Sequence, residues 1–226
     1  MITIIQNGKE KSVKYLGVHL DQCVSGELNC TQIIKRINAR LKFMYRQAKD
    51  LDKAIKKTLC SALIQPHFDY ACSSWYSGLK SRSKKQLQIC QNKIIRFILG
   101  LGSRSHIGQA EREKVNMLSV KNRVKELKLS HAHNIHNKRG PTYLAEHFHR
   151  KTDSQTIRTR NNDLNFCISI AQGPSAHTFY HTAIKDWNSL PKSLQGIESK
   201  HLFKAALRKH LQDEERAAES NDYIYY

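Results

Sequence analysis

Acidic side chains are scarce in this sequence, and their scarcity limits what the protein can bind. Lys and Arg number 38 against 19 Asp and Glu, which gives a formal net charge of +19 over 226 residues. Between residues 70 and 110 there is no carboxylate at all, although seven Lys and Arg fall there. A positive electrostatic field attracts polyanions. The charge therefore favours a protein that binds nucleic acid over one whose basic residues serve only solubility.

Long apolar runs and paired cysteines are also lacking. No run approaches the length that crosses a bilayer, and none resembles the core of a signal peptide, so we expect no membrane partner. The six cysteines are widely spaced, without a Cys-x-x-Cys pair, which predicts a reducing compartment, the nucleus or the cytoplasm. A glycine-rich phosphate loop is absent. The apolar class still makes up 39% of the chain, which is enough for a folded core.

The clearest predicted helix runs from Thr31, as its N-cap, to about Lys49. Its buried stripe is Ile33, Ile34, Ile37, Leu41, Met44 and Ala48. Its opposite face carries Lys35, Lys42, Arg46 and Lys49. No Asp or Glu occurs between Glu27 and Asp50 to pair with these cations. Cations without local partners repel each other, so this face is predicted to bind phosphate.

Two longer helices and a short one are predicted to follow. One is predicted from Asp52 to Pro66, with a buried stripe of Ala54, Ile55, Leu59, Ala62 and Leu63. Asp69 is predicted to cap a short helix that ends at Trp75. The other helix is capped by Ser81 or Ser83 and reaches Leu101, burying Leu87, Cys90, Ile94, Ile98 and Leu101. The remaining predicted nucleic-acid-binding cations lie off that stripe: Lys84, Lys85, Lys93 and Arg96.

The predicted fold is mainly α, a helical bundle with an N-terminal β-hairpin and a helical C-terminal region. The hairpin pairs residues 2–6 with 13–20 around Asn7-Gly8, a dipeptide that suits a type I′ turn. Helices are also predicted over 120–137, 142–149, 176–190 and 199–219, the last burying Leu202, Phe203, Ala206, Leu207 and Leu211. A polar loop is expected over 150–162 and an extended segment over 164–170. The predicted domains are 1–21, 22–108 and 109–226.

Four short strings occur in a fixed order along the chain. They are KYLGV at 14–18, P-x-x-x-Y…W at 66–75, Q-N-K-x-x-R at 91–96, and W-N-x-L-P at 187–191 followed by Phe203-Lys204. In kind and in order they resemble the region that follows the catalytic palm in reverse transcriptases of non-LTR (LINE-type) retrotransposons. The resemblance spans nearly the whole chain, and the order of the strings is more specific than any one of them.

This resemblance implies a thumb-like bundle and C-terminal region of an RNA-directed DNA polymerase, with RNA, DNA or both as partners. It also implies that Tyr15, Leu16 and Gly17 line the platform for the primer end. The family's catalytic Tyr-x-Asp-Asp string does not occur in this sequence. We therefore expect no catalytic residue, metal or other cofactor here. The palm and its Mg²⁺ would lie outside this chain, which would be inactive alone, as a truncated element copy, a partial gene model or a host gene.

Three alternatives remain open from the sequence. The first is a non-enzymatic helical protein that binds DNA or RNA and is unrelated to polymerases. The second is a metal-dependent hydrolase built on His131, His133 and His136, of which the last two are spaced to share a helix face. The third is an element copy whose interior no longer packs. The oligomeric state is not indicated.

Overall fold

A computed structural model describes residues 3–7, 10–21, 23, 25–149, 164–168 and 171–222. The protein is mainly helical and has a small antiparallel sheet near its N-terminus, which confirms the predicted fold class. The chain divides into two compact units. The first contains the chain up to Val124 and the segment from Glu214, and the second is Lys125–Asp213. The predicted boundaries near 21 and 108 fall inside the first unit and stay predictions. The predicted loop over 150–162 lies outside the described residues.

The sheet has three strands in the order β1 (Thr3–Asn7), β2 (Glu10–Tyr15) and β3 (Val18–Asp21). The predicted pairing of two long strands was wrong in one respect, because the second apolar run folds back on itself at Leu16-Gly17. Both residues have positive φ, 44° and 83°, as a type I′ turn requires. The Tyr70 hydroxyl donates to the Leu16 carbonyl at 2.5 Å and holds this turn. Gly8, in the first predicted turn, lies outside the described residues.

The first long helix, α1 (Glu27–Gln47), begins four residues before the predicted cap. Its N-cap is Gly26, which is in the left-handed region at φ 69° and approaches the Trp75 carbonyl so closely that a Cβ would collide with it. Thr31 is therefore inside the helix, where its hydroxyl donates to the Glu27 carbonyl at 3.0 Å. The predicted stripe is confirmed: Ile33, Ile37, Leu41, Met44 and Ala48 are buried and Ile34 is half-buried.

The helix α5 (Ser81–Leu99) packs against α1, and a side chain of α1 caps it. The Glu27 carboxylate accepts from the Lys80 backbone N–H at 2.7 Å and from the buried Ser83 hydroxyl at 2.6 Å. Neither predicted serine is the N-cap, which is Lys80; a carboxylate from a neighbouring helix satisfies the backbone N–H of this residue. Gly100, at φ 69°, ends α5 after Leu99, two residues before the predicted end, and Leu101 is exposed rather than buried.

Between them lie α2 (Lys53–Leu63), α3 (Gln65–Asp69) and α4 (Cys72–Trp75). The predicted stripe of α2 was wrong: Ala54, Ile55, Ala62 and Leu63 are exposed, Leu59 is half-buried, and the buried side chains of this helix are Lys56 and Cys60. Lys56 buries its aliphatic stem and places its ammonium 5.4 Å from the centre of the Phe97 ring. Asp69 pairs with Arg123 at 2.7 Å, so it does not cap α4, which follows Ala71.

Two helix starts in the first unit are capped by one later helix. The helices are α6 (Gln109–Lys114) and α7 (Val120–His136). Glu215 and Glu219 of α11 (Lys200–Asp222) accept from the backbone N–H groups of Ser119 and Gln109, each at 2.9 Å. The Arg112 guanidinium pairs with both carboxylates, at 3.4 and 2.7 Å. The segment from Glu214 is thus part of the first unit through hydrogen bonds that the helix pattern alone does not indicate.

The second unit contains α8 (Thr142–Ala145), a 3₁₀ turn (Gly173–His177), α9 (Phe179–Asn188) and α10 (Lys192–Gln195). Its core is aromatic and joins Phe148, Phe166, Trp187 and Phe203. The predicted extended segment is described over 164–168, with one bridge residue at 166. Leu202, predicted to be buried, is exposed.

The W-N-x-L-P string forms three side-chain hydrogen bonds to that extended segment. The Asn188 side chain accepts from the Phe166 N–H at 2.9 Å and donates to its carbonyl at 2.8 Å, as a paired strand would. The Trp187 indole N–H donates to the Leu164 carbonyl at 2.9 Å. In this protein the string therefore joins α9 to the 164–166 segment.

Candidate nucleic-acid interface

The outer side of α1 carries the predicted row of cations. Lys35, Lys42 and Arg46 are exposed and lie on one helix face opposite the buried stripe, whereas Lys49, also exposed, lies two residues beyond the end of α1. With a rise of 1.5 Å per residue, the part of the row on α1, from Lys35 to Arg46, is about 16 Å long. This length corresponds to about five base-pair steps of a duplex, at about 3.4 Å per step.

The outer side of α5 continues this row. Lys85 and Lys93 are exposed, and Arg96 is half-buried, with its Nε donating to the Ser105 carbonyl at 2.8 Å. The Lys93 ammonium reaches the Asn38 side-chain oxygen of α1 at 3.5 Å, which makes the two helix surfaces neighbours. Lys84 is placed differently. Its ammonium lies 3.4 Å from the Ser77 carbonyl and 5.5 Å from the centre of the Tyr76 ring.

We give the name basic face to eight cations of α1, of the turn after it and of α5: Lys35, Lys42, Arg46, Lys49, Arg82, Lys85, Lys93 and Arg96, all exposed except the half-buried Arg96. Within the part of the chain that the structure describes, none of the eight forms an ion pair. The carboxylate at the start of α1, that of Glu27, is occupied at the start of α5. The basic face therefore presents positive charge that no carboxylate of these two helices offsets, and such a surface attracts phosphate.

The predicted primer-end residues lie at the β2–β3 turn. Tyr15 and Leu16 are exposed, and Gly17 is beside the Tyr70 ring. A Cβ at Gly17 would stand 3.7 Å from that ring, an ordinary contact, so the glycine is required by its positive φ and not by a close approach. Among the described residues no hydrogen bond joins this turn to the basic face, so the structure does not unite the two predicted groups.

Two arginines of α1 that the sequence reasoning missed lie outside the predicted row of cations. Arg36 and Arg40 are exposed, and Arg40 donates to the Leu63 carbonyl. Burial, and then the positive charge of Lys14 and Arg36, lowers the pKa of His19 from the ordinary histidine value. Burial, and then the charge of Arg40 and Arg36, lowers the pKa of His67 in the same way. Arg36 and Arg40 lie in the same carboxylate-free section as the predicted cations, and the lack of carboxylates there was the sequence signal that could have identified them.

Two aromatic side chains of α1 were also missed. Phe43 is 57% exposed, and Tyr45 packs edge to face on Phe97 with ring centres 4.8 Å apart. Burial is the main reason that the pKa of Tyr45 lies above its ordinary value. Neither residue falls on the buried stripe of α1, and this off-stripe position is the one signal in the sequence that could have indicated their exposure.

Two members of the histidine cluster, His133 and His136, lie in the aromatic core of the second unit, whereas His131 is exposed. His133 is fully buried, stacks on Phe203 with ring centres 4.2 Å apart and places its Nε2 2.7 Å from the Ile197 carbonyl. His136 packs on Trp187, with ring centres 4.9 Å apart. Among the residues with described positions, no three His, Cys, Asp or Glu side chains gather as metal ligands do. In the same part of the chain, no helix is long and apolar enough to cross a bilayer.

In comparisons with known proteins, no family model, no curated protein and no solved structure matches this chain.

Proposed function

We propose that this chain binds RNA or DNA through the basic face, as the thumb-like and C-terminal part of a LINE-type reverse transcriptase, and does not catalyse polymerisation by itself. The observation that carries the binding proposal is the charge pattern of α1 and α5. Eight cations of α1, of the turn after it and of α5 form no ion pair among the described residues, and Glu27, the one carboxylate within these two helices, is bound at the start of α5. Contacts of this kind go to the sugar–phosphate backbone and carry no base sequence.

Support for the polymerase relationship comes from the order of the four strings in the sequence. The KYLGV string forms the β2–β3 turn, and Q-N-K-x-x-R lies on α5, where Lys93 and Arg96 are part of the basic face. The proposed lack of catalysis follows from the missing Tyr-x-Asp-Asp string. In a primer-extension assay we expect no product from the chain alone, and a product would contradict this part of the proposal.

A second candidate function is a non-enzymatic helical nucleic-acid-binding protein unrelated to polymerases. It shares the basic face but predicts a preferred base sequence, which requires contacts to base edges. A thumb-like surface predicts similar affinity for duplexes of unrelated sequence. A competition experiment between random and selected duplexes therefore separates the two candidates.

The binding proposal is tested by a salt series. Affinity for a DNA duplex is measured for the protein and for the triple variant Lys35→Ala, Lys42→Ala and Arg46→Ala. Each lost phosphate contact removes one released counterion, so the slope of log K against log salt should flatten by about 2 to 3 units.

A second triple variant, which removes the same number of positive charges elsewhere, is the matched control. Lys200, Lys204 and Lys209 are exposed on α11, in the second unit, and form no ion pair among the described residues. Their triple replacement by Ala also removes three positive charges, yet we expect the slope to change by less than about 1 unit. Equal flattening by both triple variants would show that net charge alone drives binding and would contradict the assigned interface.

A further inference from the structure

Phe43 exposes a large apolar ring in the middle of a cationic helix surface. The ring is 57% exposed and lies on the side of α1 away from the buried stripe. Its helical neighbours at i−3 and i+3 are Arg40 and Arg46, both exposed, and its neighbour at i+4 is Gln47. The helix is anchored by other side chains, so the Phe43 ring is free to contact a ligand.

We infer that Phe43 is a stacking platform for an unpaired base of the bound RNA or DNA strand. This inference rests on the proposed function, because the flanking cations must hold the strand's phosphates. Single-strand binding sites combine a positively charged surface with aromatic rings, since every base has a face that can stack. In a continuous duplex the faces of internal bases are already stacked on each other. Phe43 therefore selects single strands, and duplexes with unpaired ends, over blunt duplexes.

The charge around the ring argues against two other occupants. A second copy of this chain would bring its own cations against Arg40 and Arg46, and like charges across an interface oppose association. An anionic bilayer takes up helices that offer a whole apolar face. The apolar stripe of α1 is buried in the first unit, so Phe43 is one ring among charged neighbours. A nucleic-acid strand supplies both the negative charge and the flat apolar face.

The test compares Phe43→Ala and Phe43→Trp with the unchanged protein on a single-stranded RNA and on a blunt DNA duplex. Loss of one base–aromatic stack should weaken single-strand binding by about 5- to 150-fold. Duplex binding should change by less than about twofold, and Phe43→Trp should restore single-strand binding. Because no charge is removed, the salt slope should stay the same for both variants. Quenching of a 2-aminopurine base in the RNA should be lost in Phe43→Ala and kept in Phe43→Trp.

Two control variants separate stacking from general apolar contact. Ile89 is 51% exposed on α5, between Lys85 at i−4 and Lys93 at i+4, so it has a similar charged setting without an aromatic ring. Ile89→Ala should leave single-strand affinity within about twofold of the unchanged protein. Phe43→Leu keeps an apolar side chain but no flat face, and it should behave like Phe43→Ala.

Several outcomes would overturn the inference while leaving the proposed function intact. These are unchanged single-strand affinity in Phe43→Ala, full binding in Phe43→Leu, and equal losses for single strand and duplex. Sedimentation with phosphatidylserine vesicles that depends on Phe43 would assign the ring to a bilayer, and a dimer that Phe43→Ala dissociates would assign it to a second copy. If the unchanged protein binds neither nucleic acid, the proposed function fails first.

Discussion

The contact between Glu27 and the start of α5 yields the sharpest stability prediction for the first unit. The carboxylate accepts from the Lys80 N–H at 2.7 Å and from the buried Ser83 hydroxyl at 2.6 Å. Loss of a helix cap costs about 1 kcal/mol. A buried hydroxyl that loses its charged acceptor lowers the free energy of unfolding by about 1 to 3 kcal/mol more. Glu27→Ala should therefore lower the free energy of unfolding of the first unit by about 2 to 4 kcal/mol, because the joint between α1 and α5 loses both bonds.

The two tryptophans make this measurable for each unit separately. Trp75 is buried in the first unit and Trp187 in the second. Urea titration of 5-fluorotryptophan-labelled protein, followed by fluorine NMR, reports both. We expect the Trp75 transition of Glu27→Ala to move to lower urea and the Trp187 transition to stay.

A double-mutant cycle with Ser83→Ala provides the refutation. Glu27 and Ser83 share one hydrogen bond. The sum of the losses of unfolding free energy in the two single variants should therefore exceed the loss in the double variant by about 1 kcal/mol or more. Additive effects, or a Trp75 transition that Glu27→Ala leaves in place, would refute the assigned capping role.

Two further predictions concern the second unit. Asn188→Ala removes both hydrogen bonds to Phe166 and should lower the unfolding free energy of that unit by about 1 to 3 kcal/mol, read from the Trp187 transition; no change would show that the segment is held by other contacts. Burial keeps the pKa of His133 below its ordinary value of about 6.5, although the Ile197 carbonyl opposes this shift. Since only the unfolded chain then binds the proton, stability of the unit should fall as pH drops below about 6.5, and His133→Phe should reduce that fall; an equal pH profile in the variant would contradict this origin.

How far the sequence predicts this fold is clear from a comparison of α1 and α2. In α1 the stripe from Ile33 to Ala48 is buried as expected, because one face of a long helix meets the core and the period alone identifies it. In α2 the same reasoning selects the wrong face, and Ile55 is 47% exposed while Lys56 is buried. A lysine can bury its stem when an aromatic ring accepts its ammonium, and the position of Phe97 is set by tertiary packing.

Helix caps show a second limit of the sequence. Local rules select Thr31 and the serines at 81 and 83, whereas the structure uses Gly26 and the carboxylate of Glu27. The partner of a cap can come from another helix, and its distance along the chain carries no local signal. The predicted cations of α1 were exposed as expected, because charge and period agree there. Phe43 was missed because an exposed aromatic ring has no periodic signature.

The central claim, that the basic face contacts the sugar–phosphate backbone, is tested most directly by lysine footprinting. The protein is acetylated briefly with and without bound nucleic acid, and mass spectrometry measures the modification of each lysine. We predict that Lys35, Lys42 and Lys85 lose reactivity in the complex, while Lys200 and Lys204 of α11 react as before. Protection of Lys200 and Lys204 with unchanged reactivity at Lys35 and Lys42 would contradict the claim.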